Sequence, residues 1–139
     1  MEAKIKKIHP NAKIPTKYNQ DDAGYDLYSV ESITLNPNET IVIHTGICME
    51  ITQGYYGQIE TRSSMALRGI FTTGGVIDAG YRDEILVILN NISNFPYPIN
   101  VGDRIAQIIF HEVNIFNLRE VKILDIELDR KGGFGSSGK

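Results

Sequence analysis

An all-β sandwich or barrel is the fold that this sequence predicts, and three observations support the prediction. Apolar and polar residues alternate with a period of two over most of the chain, as in half-buried strands. Turn residues such as Asn36-Pro37-Asn38 and Gln53-Gly54 separate these runs at short intervals. Neither a sustained helical period nor an internal repeat is present. The 139 residues suit one domain, which would bury roughly two-thirds of its unfolded surface.

The elements of the first half of the chain follow from local patterns. Alternation and β-branched residues predict strands over residues 3–8, 25–28, 33–35, 40–43, 46–51 and 55–61. Ser63–Gly69 is the one clear helical fragment. Ser63 or Ser64 can serve as its N-cap, and Gly69 can end its last turn.

The second half continues in strands. The predicted extended segments are residues 70–73, 76–77, 85–89 and 104–110, with a loop over residues 90–98 around Phe95-Pro96. Residues 115–126 alternate only weakly, and the chain from Arg130 onward is rich in glycine and serine.

Composition and charge narrow the classes of function. An apolar content of 42% and a charged content of 22% are typical of a globular protein. The net charge of −3 gives no support for a binder of duplex nucleic acid, which usually carries a basic patch. A small polyanionic ligand needs only a few local cations, so this charge balance allows one.

Cysteine usage and hydropathy predict a soluble, intracellular protein. Cys48 is the only cysteine, so no intrachain disulfide can form and secretion is not indicated. The apolar run Ile85–Leu89 is far too short to span a bilayer, and no long apolar region follows Met1-Glu2-Ala3-Lys4. The three histidines are far apart and not at metal-ligand spacing, so each is expected to be structural or exposed.

The segment Gly74-Gly75-Val76-Ile77-Asp78-Ala79-Gly80-Tyr81 is the strongest candidate for chemistry. Its glycines allow a tight reversal or a close approach of the backbone to a ligand. A carboxylate at a strand end beside an aromatic ring is a plausible small-molecule site. A hairpin turn with a solvated Asp78 is the alternative, and these eight residues alone favour it.

Two further segments suit anion binding. Arg62-Ser63-Ser64 opens the predicted helix, where backbone amides, hydroxyls and a guanidinium can hold a phosphate. An ordinary capped turn with a surface arginine is the alternative. Gly102-Asp103-Arg104 looks like a tight turn into a strand, in which an ion pair between Asp103 and Arg104 is the favoured interpretation.

The tail from Arg130 to Lys139 has three interpretations. Residues 133–139 fit G-x-x-x-x-G-K, the start of a P-loop, but the chain ends before the Ser or Thr and the helix that a P-loop needs. An engineered linker is the second interpretation, although Phe134 and the cations have little use in one. The third is a mobile arm that orders over a ligand, with Phe134 stacking and the cations and hydroxyls holding phosphate.

Five segments in this order resemble the trimeric dUTP nucleotidohydrolase (dUTPase) family. The matching segments are residues 23–27 (AGYDL), 62–66 (RSSMA), 75–81 (GVIDAGY), 102–107 (GDRIAQ) and 130–138. The resemblance implies a β-jelly-roll homotrimer with active sites between subunits. It implies a β domain over residues 1–129 and a mobile glycine-rich arm over residues 130–139 that closes the site.

The resemblance also implies an activity and a set of residues for it. The reaction would be the hydrolysis of dUTP to dUMP and pyrophosphate, which limits uracil in DNA and supplies dUMP for dTMP synthesis. Asp78 would activate the water that attacks the α-phosphorus, and Asp26 would hold water molecules around a Mg²⁺. The base and the sugar would contact Gly75, Val76, Ile77, Tyr81 and Phe134. The phosphates would contact Arg62, Ser63, Ser64, Gln107, Arg130, Gly135, Ser136, Ser137 and Lys139. No direct nucleic-acid or membrane partner is implied.

The chain departs from the family pattern at three positions, and two alternative functions compete with dUTP hydrolysis. Thr61 stands where the family often has Gly or Pro, Asp83 where Gly is common, and Thr72 or Thr73 where relatives can have a base-contacting side chain. The related dCTP deaminases place a catalytic Glu where this chain has Ile88, which cannot shuttle protons. A non-catalytic nucleotide-sensing module is the other alternative, and such a module would not need Asp78 as a positioned base.

Overall fold

The computed structural model describes residues 1–135 and residue 138. The predicted all-β class is confirmed, since strands dominate and one short helix interrupts them. The elements are β1 (Ala3–Lys7), β2 (Tyr25–Tyr28), β3 (Ile33–Leu35), β4 (Thr40–Ile51), β5 (Tyr55–Glu60), α1 (Ser63–Ala66), β6 (Ile70–Thr73), β7 (Val76–Ile77), β8 (Glu84–Asn91), β9 (Tyr97–Ile99) and β10 (Arg104–Glu112).

Two four-stranded antiparallel sheets form the fold. One has the strand order β1-β4-β8-β6, the other has the order β2-β10-β5-β7, and β3 pairs with β9 in a small ribbon. The period of two decides which side chains enter the core: in β8, Ile85, Val87 and Leu89 are buried while Leu86 points outward. The outcome is one apolar core to which every sheet contributes.

The structure corrects three local predictions. Residues 40–51 form one strand rather than two, because the strand continues through a bulge after His44. The predicted loop over 90–98 contains the start of β9, where pairing with β3 overrides the prolines; Pro98 lies in a two-stranded ribbon in which a missing amide is tolerated. The N-cap of α1 is Arg62 rather than a serine, and its side chain makes no capping bond.

The bulge in β4 has a defined geometry. His44 pairs with Leu86 and Cys48 with Glu84, so three residues of β4 lie opposite Ile85 alone. Gly46 sits in this bulge with φ +69°, and a β-carbon there would lie 2.7 Å from the Cβ of His9. The position therefore demands glycine for both its backbone angle and its space.

The segment after β10 carries many exposed apolar side chains. Ile115, Phe116 and Leu118 are 78–94% exposed, and Ile123 to Leu128 continue this pattern. The last strand ends at Glu112. The predicted domain boundary at residue 129 and the arm beyond it stay predictions. Within the described residues, no helix is long and apolar enough to cross a membrane.

Replacing Gly46 with Ala should lower the free energy of unfolding by about 1–3 kcal/mol more than replacing Gly54 with Ala. Both glycines have positive φ, but a β-carbon at Gly54 meets no atom within 4 Å, whereas one at Gly46 clashes with His9 and Val30. Urea melts at one protein concentration measure the difference. Equal losses would show that the bulge has room for a side chain.

Candidate active site

Two arginine side chains from separate segments, Arg62 and Arg104, contact the carboxylate of Asp26. Its Oδ1 lies 3.6 Å from Nε of Arg62, and its Oδ2 lies 3.6 Å from Nη1 of Arg104. Arg62 also donates from Nη1 to the carbonyl of Arg104 at 3.1 Å. Strand pairing of β2 with β10 brings these groups together. The cluster has one net positive charge, which suits an anionic ligand.

Gln107 joins this cluster from β10. It pairs with Asp26 on one side and Glu60 on the other, and its Nε2 donates to the carbonyl of Thr61 at 3.2 Å. A β-carbon on Gly24 would lie 2.1 Å from Oε1 of Gln107. Gly24 therefore makes the space in which the Gln107 amide lies.

Arg104 is the member of this cluster that sequence reasoning missed. An ion pair with Asp103 was the favoured interpretation, but Arg104 contacts Asp26 across the sheet, and Asp103 accepts a hydrogen bond from the amide of Asn100. The prediction of an Asp103–Arg104 pair is wrong, because the Asp103 carboxylate closes the turn before β10 by accepting from Asn100, while Arg104 contacts Asp26. The match of residues 102–107 to the family was the signal that contained Arg104.

Arg62, Ser63 and Ser64 lead from β5 into α1. Both serines are exposed, so their hydroxyls are available to a ligand. Arg62 and Arg104 line a polar pocket of about 290 Å³ together with Tyr97 and Asp103. The predicted phosphate-binding segment thus lies beside the charged cluster.

Gly75 lies in the connection between β6 and β7, which belong to different sheets, and brings this connection against β5. Its carbonyl accepts a hydrogen bond from the amide of Ile59 at 2.8 Å. With φ +92°, it has no room for a β-carbon, which would lie 2.9 Å from the Cβ of Ile59. After Gly75, Val76 is 60% exposed and Ile77 is buried, so one face of β7 is open while the other anchors it.

Threonine side chains form hydrogen bonds that link β6 to the end of β5 and to β8. The amide of Thr72 donates to Oγ1 of Thr61 at 3.0 Å, so the departure at Thr61 adds a link between the end of β5 and β6. Oγ1 of Thr73 accepts from Nδ2 of Asn90 at 3.2 Å. Oγ1 of Thr72 is buried and has no hydrogen-bond partner in the described part of the chain.

Asp78 and Tyr81 are the ends of a tight turn that follows β7. The amide of Tyr81 donates to the carbonyl of Asp78 at 3.1 Å, and the Asp78 side chain is exposed. The Tyr81 hydroxyl donates to the carbonyl of Glu84 at 2.7 Å. Burial, followed by the charges of Asp83, Cys48 and Glu84, raises the pKa of Tyr81 above its ordinary value of 10.0. The phenol therefore stays a protonated donor at neutral pH.

Three of the predicted site residues in the arm lie within the described part of the chain. Arg130 is exposed, and Phe134 is exposed over its whole side chain with φ +48°. Gly135 has φ +88°. Ser136, Ser137 and Lys139 lie outside the described residues, so their predicted phosphate contacts stay predictions.

Within one chain the predicted residues form two groups. Asp26, Arg62 and Gln107 lie together, whereas Asp78 lies in the turn after β7, where the next residues Ala79 and Gly80 border a different groove. Residues 1–135 contain no group of three His, Cys, Asp or Glu side chains placed to hold a metal ion. Asp26 supplies a single carboxylate, which suits a Mg²⁺ that keeps most of its ligands as water and substrate phosphate.

Comparisons with known proteins agree with this architecture. A family model described as dUTPase matches residues 10–138. The chain is 40% identical over 141 residues to the deoxyuridine 5'-triphosphate nucleotidohydrolase of Helicobacter pylori (strain P12), covering 99% of this chain and 97% of that protein. It is 44% identical over 127 residues to the protein of the same name from Variola virus, covering 91% and 86%.

A solved structure extends the similarity to three dimensions. The dUTPase of Staphylococcus bacteriophage 80alpha with dUPNHPP superimposes with a TM-score of 0.92 at 28% identity, covering 99% of each chain. These matches extend over nearly the whole chain and include the five segments on which the predicted resemblance rests, so that resemblance is confirmed. This chain belongs to the dUTPase family.

Proposed function

We propose that this protein hydrolyses dUTP to dUMP and pyrophosphate by attack of a water molecule on the α-phosphorus. The observation that carries the proposal is the cationic cluster around Asp26 beside the exposed Ser63 and Ser64, in a chain that also presents Asp78 in a tight turn after β7. A triphosphate carries roughly three to four negative charges at neutral pH. Its binding needs fixed cations, and water attack on phosphorus needs a base that removes a proton from the water.

Asp78 is the base in this proposal. Its side chain is exposed, so a water molecule can reach the carboxylate. The turn closed by the Tyr81 amide holds the backbone of Asp78 beside that of Tyr81. Asp78 would take a proton from the water molecule while the water oxygen attacks the α-phosphorus. Pyrophosphate would then leave in the direction of Arg62.

The backbone of the connection between β6 and β7 would read the base. Uracil lacks the methyl group of thymine, a difference worth only about 1–3 kcal/mol through packing alone. A backbone that approaches closely at Gly75 can add a clash with that methyl group. Cytosine would be rejected because its donors and acceptors leave backbone groups unpaired. Tyr81 would pack on the deoxyribose, and Phe134 would cover the uracil.

Mg²⁺ is the cofactor that the cluster would accommodate together with a triphosphate, whose negative charges outweigh the net positive charge of the cluster. Asp26 would hold it through water molecules, and Arg62 and Gln107 would contact the phosphates beside it. When bound, Mg²⁺ neutralises phosphate charge and polarises the phosphoryl oxygens. Positioning the triphosphate against Asp78 remains the work of the protein side chains.

We also propose that the protein acts as a homotrimer. The exposed apolar side chains after Glu112 are more than a free surface segment usually carries, which supports burial against other copies. In one chain Ala79 and Gly80, which follow Asp78, border a different groove from the one lined by Arg62 and Arg104. A site completed by neighbouring subunits would bring the two groups and the arm together.

Replacing Asp78 with Asn should lower kcat for dUTP by roughly 10²–10⁴-fold and leave binding within a few-fold, because an amide cannot accept the proton. The assay incubates the protein with dUTP, dCTP and dTTP plus Mg²⁺ and identifies the products by chromatography. Asp83→Asn, an exposed carboxylate five residues away, is the matched control and should keep full activity. Full turnover by the Asp78 variant would remove Asp78 as the base, and uracil nucleotides from dCTP would indicate a deaminase.

Replacing Gly24 with Ala should raise KM for dUTP about five- to tenfold, because the new methyl group displaces the Gln107 amide. Steady-state kinetics of Gly24→Ala, Gln107→Ala and the double variant form a cycle that isolates the shared effect. The double variant should be no worse than Gln107→Ala. Additive losses would show that Gly24 acts independently of Gln107.

Deleting residues 132–139 should lower turnover by at least roughly tenfold, since the arm would exclude water and position the substrate. Sedimentation should still show the trimer, because the exposed apolar segment before the arm is intact. Phe134→Ala tests the stacking contribution alone and should raise KM. Full turnover by the deletion variant would contradict the role of the arm. A monomeric deletion variant would show that the arm contributes contacts to the trimer.

A further inference from the structure

The carboxylate of Glu84 closes the gap that the β4 bulge leaves. Its Oε2 accepts a hydrogen bond from the amide of Gly46 at 2.9 Å, and its Oε1 lies 3.0 Å from Nδ1 of His44. The side chain is 21% exposed. Because three residues of β4 face Ile85 alone, the Gly46 amide lies where the bulge interrupts the regular ladder with β8. The Glu84 side chain supplies the acceptor that the amide needs.

Glu84 is also the residue at which the Asp78–Tyr81 turn joins the sheet. It is the first residue of β8, and its carbonyl accepts the hydrogen bond from the Tyr81 hydroxyl at 2.7 Å. Arg82 and Asp83, which lie between them, are exposed. The backbone amide of Tyr81 is therefore held by Asp78, and the hydroxyl of its ring is held by Glu84.

We infer that Glu84, braced by His44, is a positioning residue for Tyr81 and thereby sets the preference for a deoxyribose over a ribose nucleotide. This inference rests on the proposed function, which puts Tyr81 against the sugar. The side chain of Glu84 fixes its own backbone through the bulge, and its backbone carbonyl fixes the ring. A displaced ring would leave more room beside the C2′ carbon, where a ribonucleotide carries its 2′-hydroxyl.

The charges around His44 support the bracing contact. The hydrogen bond to Glu84 raises the pKa of His44 above its ordinary value of 6.5, and the charges of Glu84 and Glu31 act in the same direction, while partial burial opposes them. Glu31, in the loop after β2, also accepts from the His44 amide at 3.2 Å. The charged pair is therefore fully present below pH 6.5, and it is lost as the pH rises through the pKa of His44 in the folded protein.

The test compares kcat/KM for dUTP with kcat/KM for UTP in four proteins. Glu84→Ala should lower this ratio by about tenfold relative to the wild type. Glu84→Gln keeps an acceptor for the Gly46 amide but loses the charged pair with His44, so it should lower the ratio less than Glu84→Ala does and make the ratio independent of pH. Thr45→Val is the matched control: it removes the hydrogen bond from Oγ1 of Thr45 to the Ile85 carbonyl in the same bulge and should lower the melting temperature without changing the ratio.

The ratio should also depend on pH. In the wild type the preference for dUTP should weaken as the pH rises through the His44 pKa, and in His44→Ala it should be flat. Both substrates would use the same base, so its contribution affects both rates equally and cancels in the ratio. His44 is half exposed, so this variant tests the inference even if Glu84→Ala does not fold. An unchanged ratio in Glu84→Ala, an equal fall in Thr45→Val or a flat wild-type profile would overturn the inference.

A spectroscopic readout separates this inference from the proposed function. With ¹³C-labelled tyrosine, and Tyr81→Phe for assignment, the Tyr81 ring resonance should follow the titration of His44 in the wild type and not in Glu84→Ala. If the wild type does not hydrolyse dUTP, the proposed function fails, and this titration alone decides the positioning role. A Tyr81 resonance that ignores the His44 titration would overturn it.

Discussion

The contact of Gly75 with Ile59 is the constraint on which the candidate site depends. A hydrogen bond of 2.8 Å and the absence of a β-carbon let the backbone of the connection between β6 and β7 lie directly on β5. The strand β5 then continues into Thr61 and Arg62, so one strand positions both this connection and the start of the charged cluster. The bond from the Thr72 amide to Thr61 repeats this link at the strand end. A shift of β5 would therefore move both halves of the site.

Electrostatics and packing act together at Asp26. The guanidinium groups of Arg62 and Arg104 contact one carboxylate, that of Asp26, which is one-fifth exposed. These contacts order the two long arginine side chains, so the side chains lose less entropy when a ligand binds. The arrangement leaves one positive charge in excess, and Gly24 reserves space for a neutral amide donor beside it. Such a preordered set of donors suits phosphate oxygens better than isolated surface cations do.

The part of the candidate site that contains Asp78 and Tyr81 is stabilised by polar contacts as well as by the apolar core. The bulge at Gly46 exposes a backbone amide, and the Glu84 carboxylate satisfies it. The carbonyl of the same residue accepts a hydrogen bond from the Tyr81 hydroxyl, so one acidic residue contacts both the bulge in β4 and the Tyr81 ring of the candidate site. Bulges re-aim side chains next to functional sites.

The sequence by itself determined the all-β class and most strand positions, because period-two alternation, glycines and turn residues act locally, whereas the segments proposed for the site came from the family resemblance. It did not reveal β9, whose prolines argue against a strand until β3 pairs with it, or the single strand through the bulge at Gly46. It also did not reveal that Arg104 pairs with Asp26 rather than with Asp103. These features depend on which strands become neighbours, and that pairing is set by the burial of the whole core, so only the tertiary structure decided them.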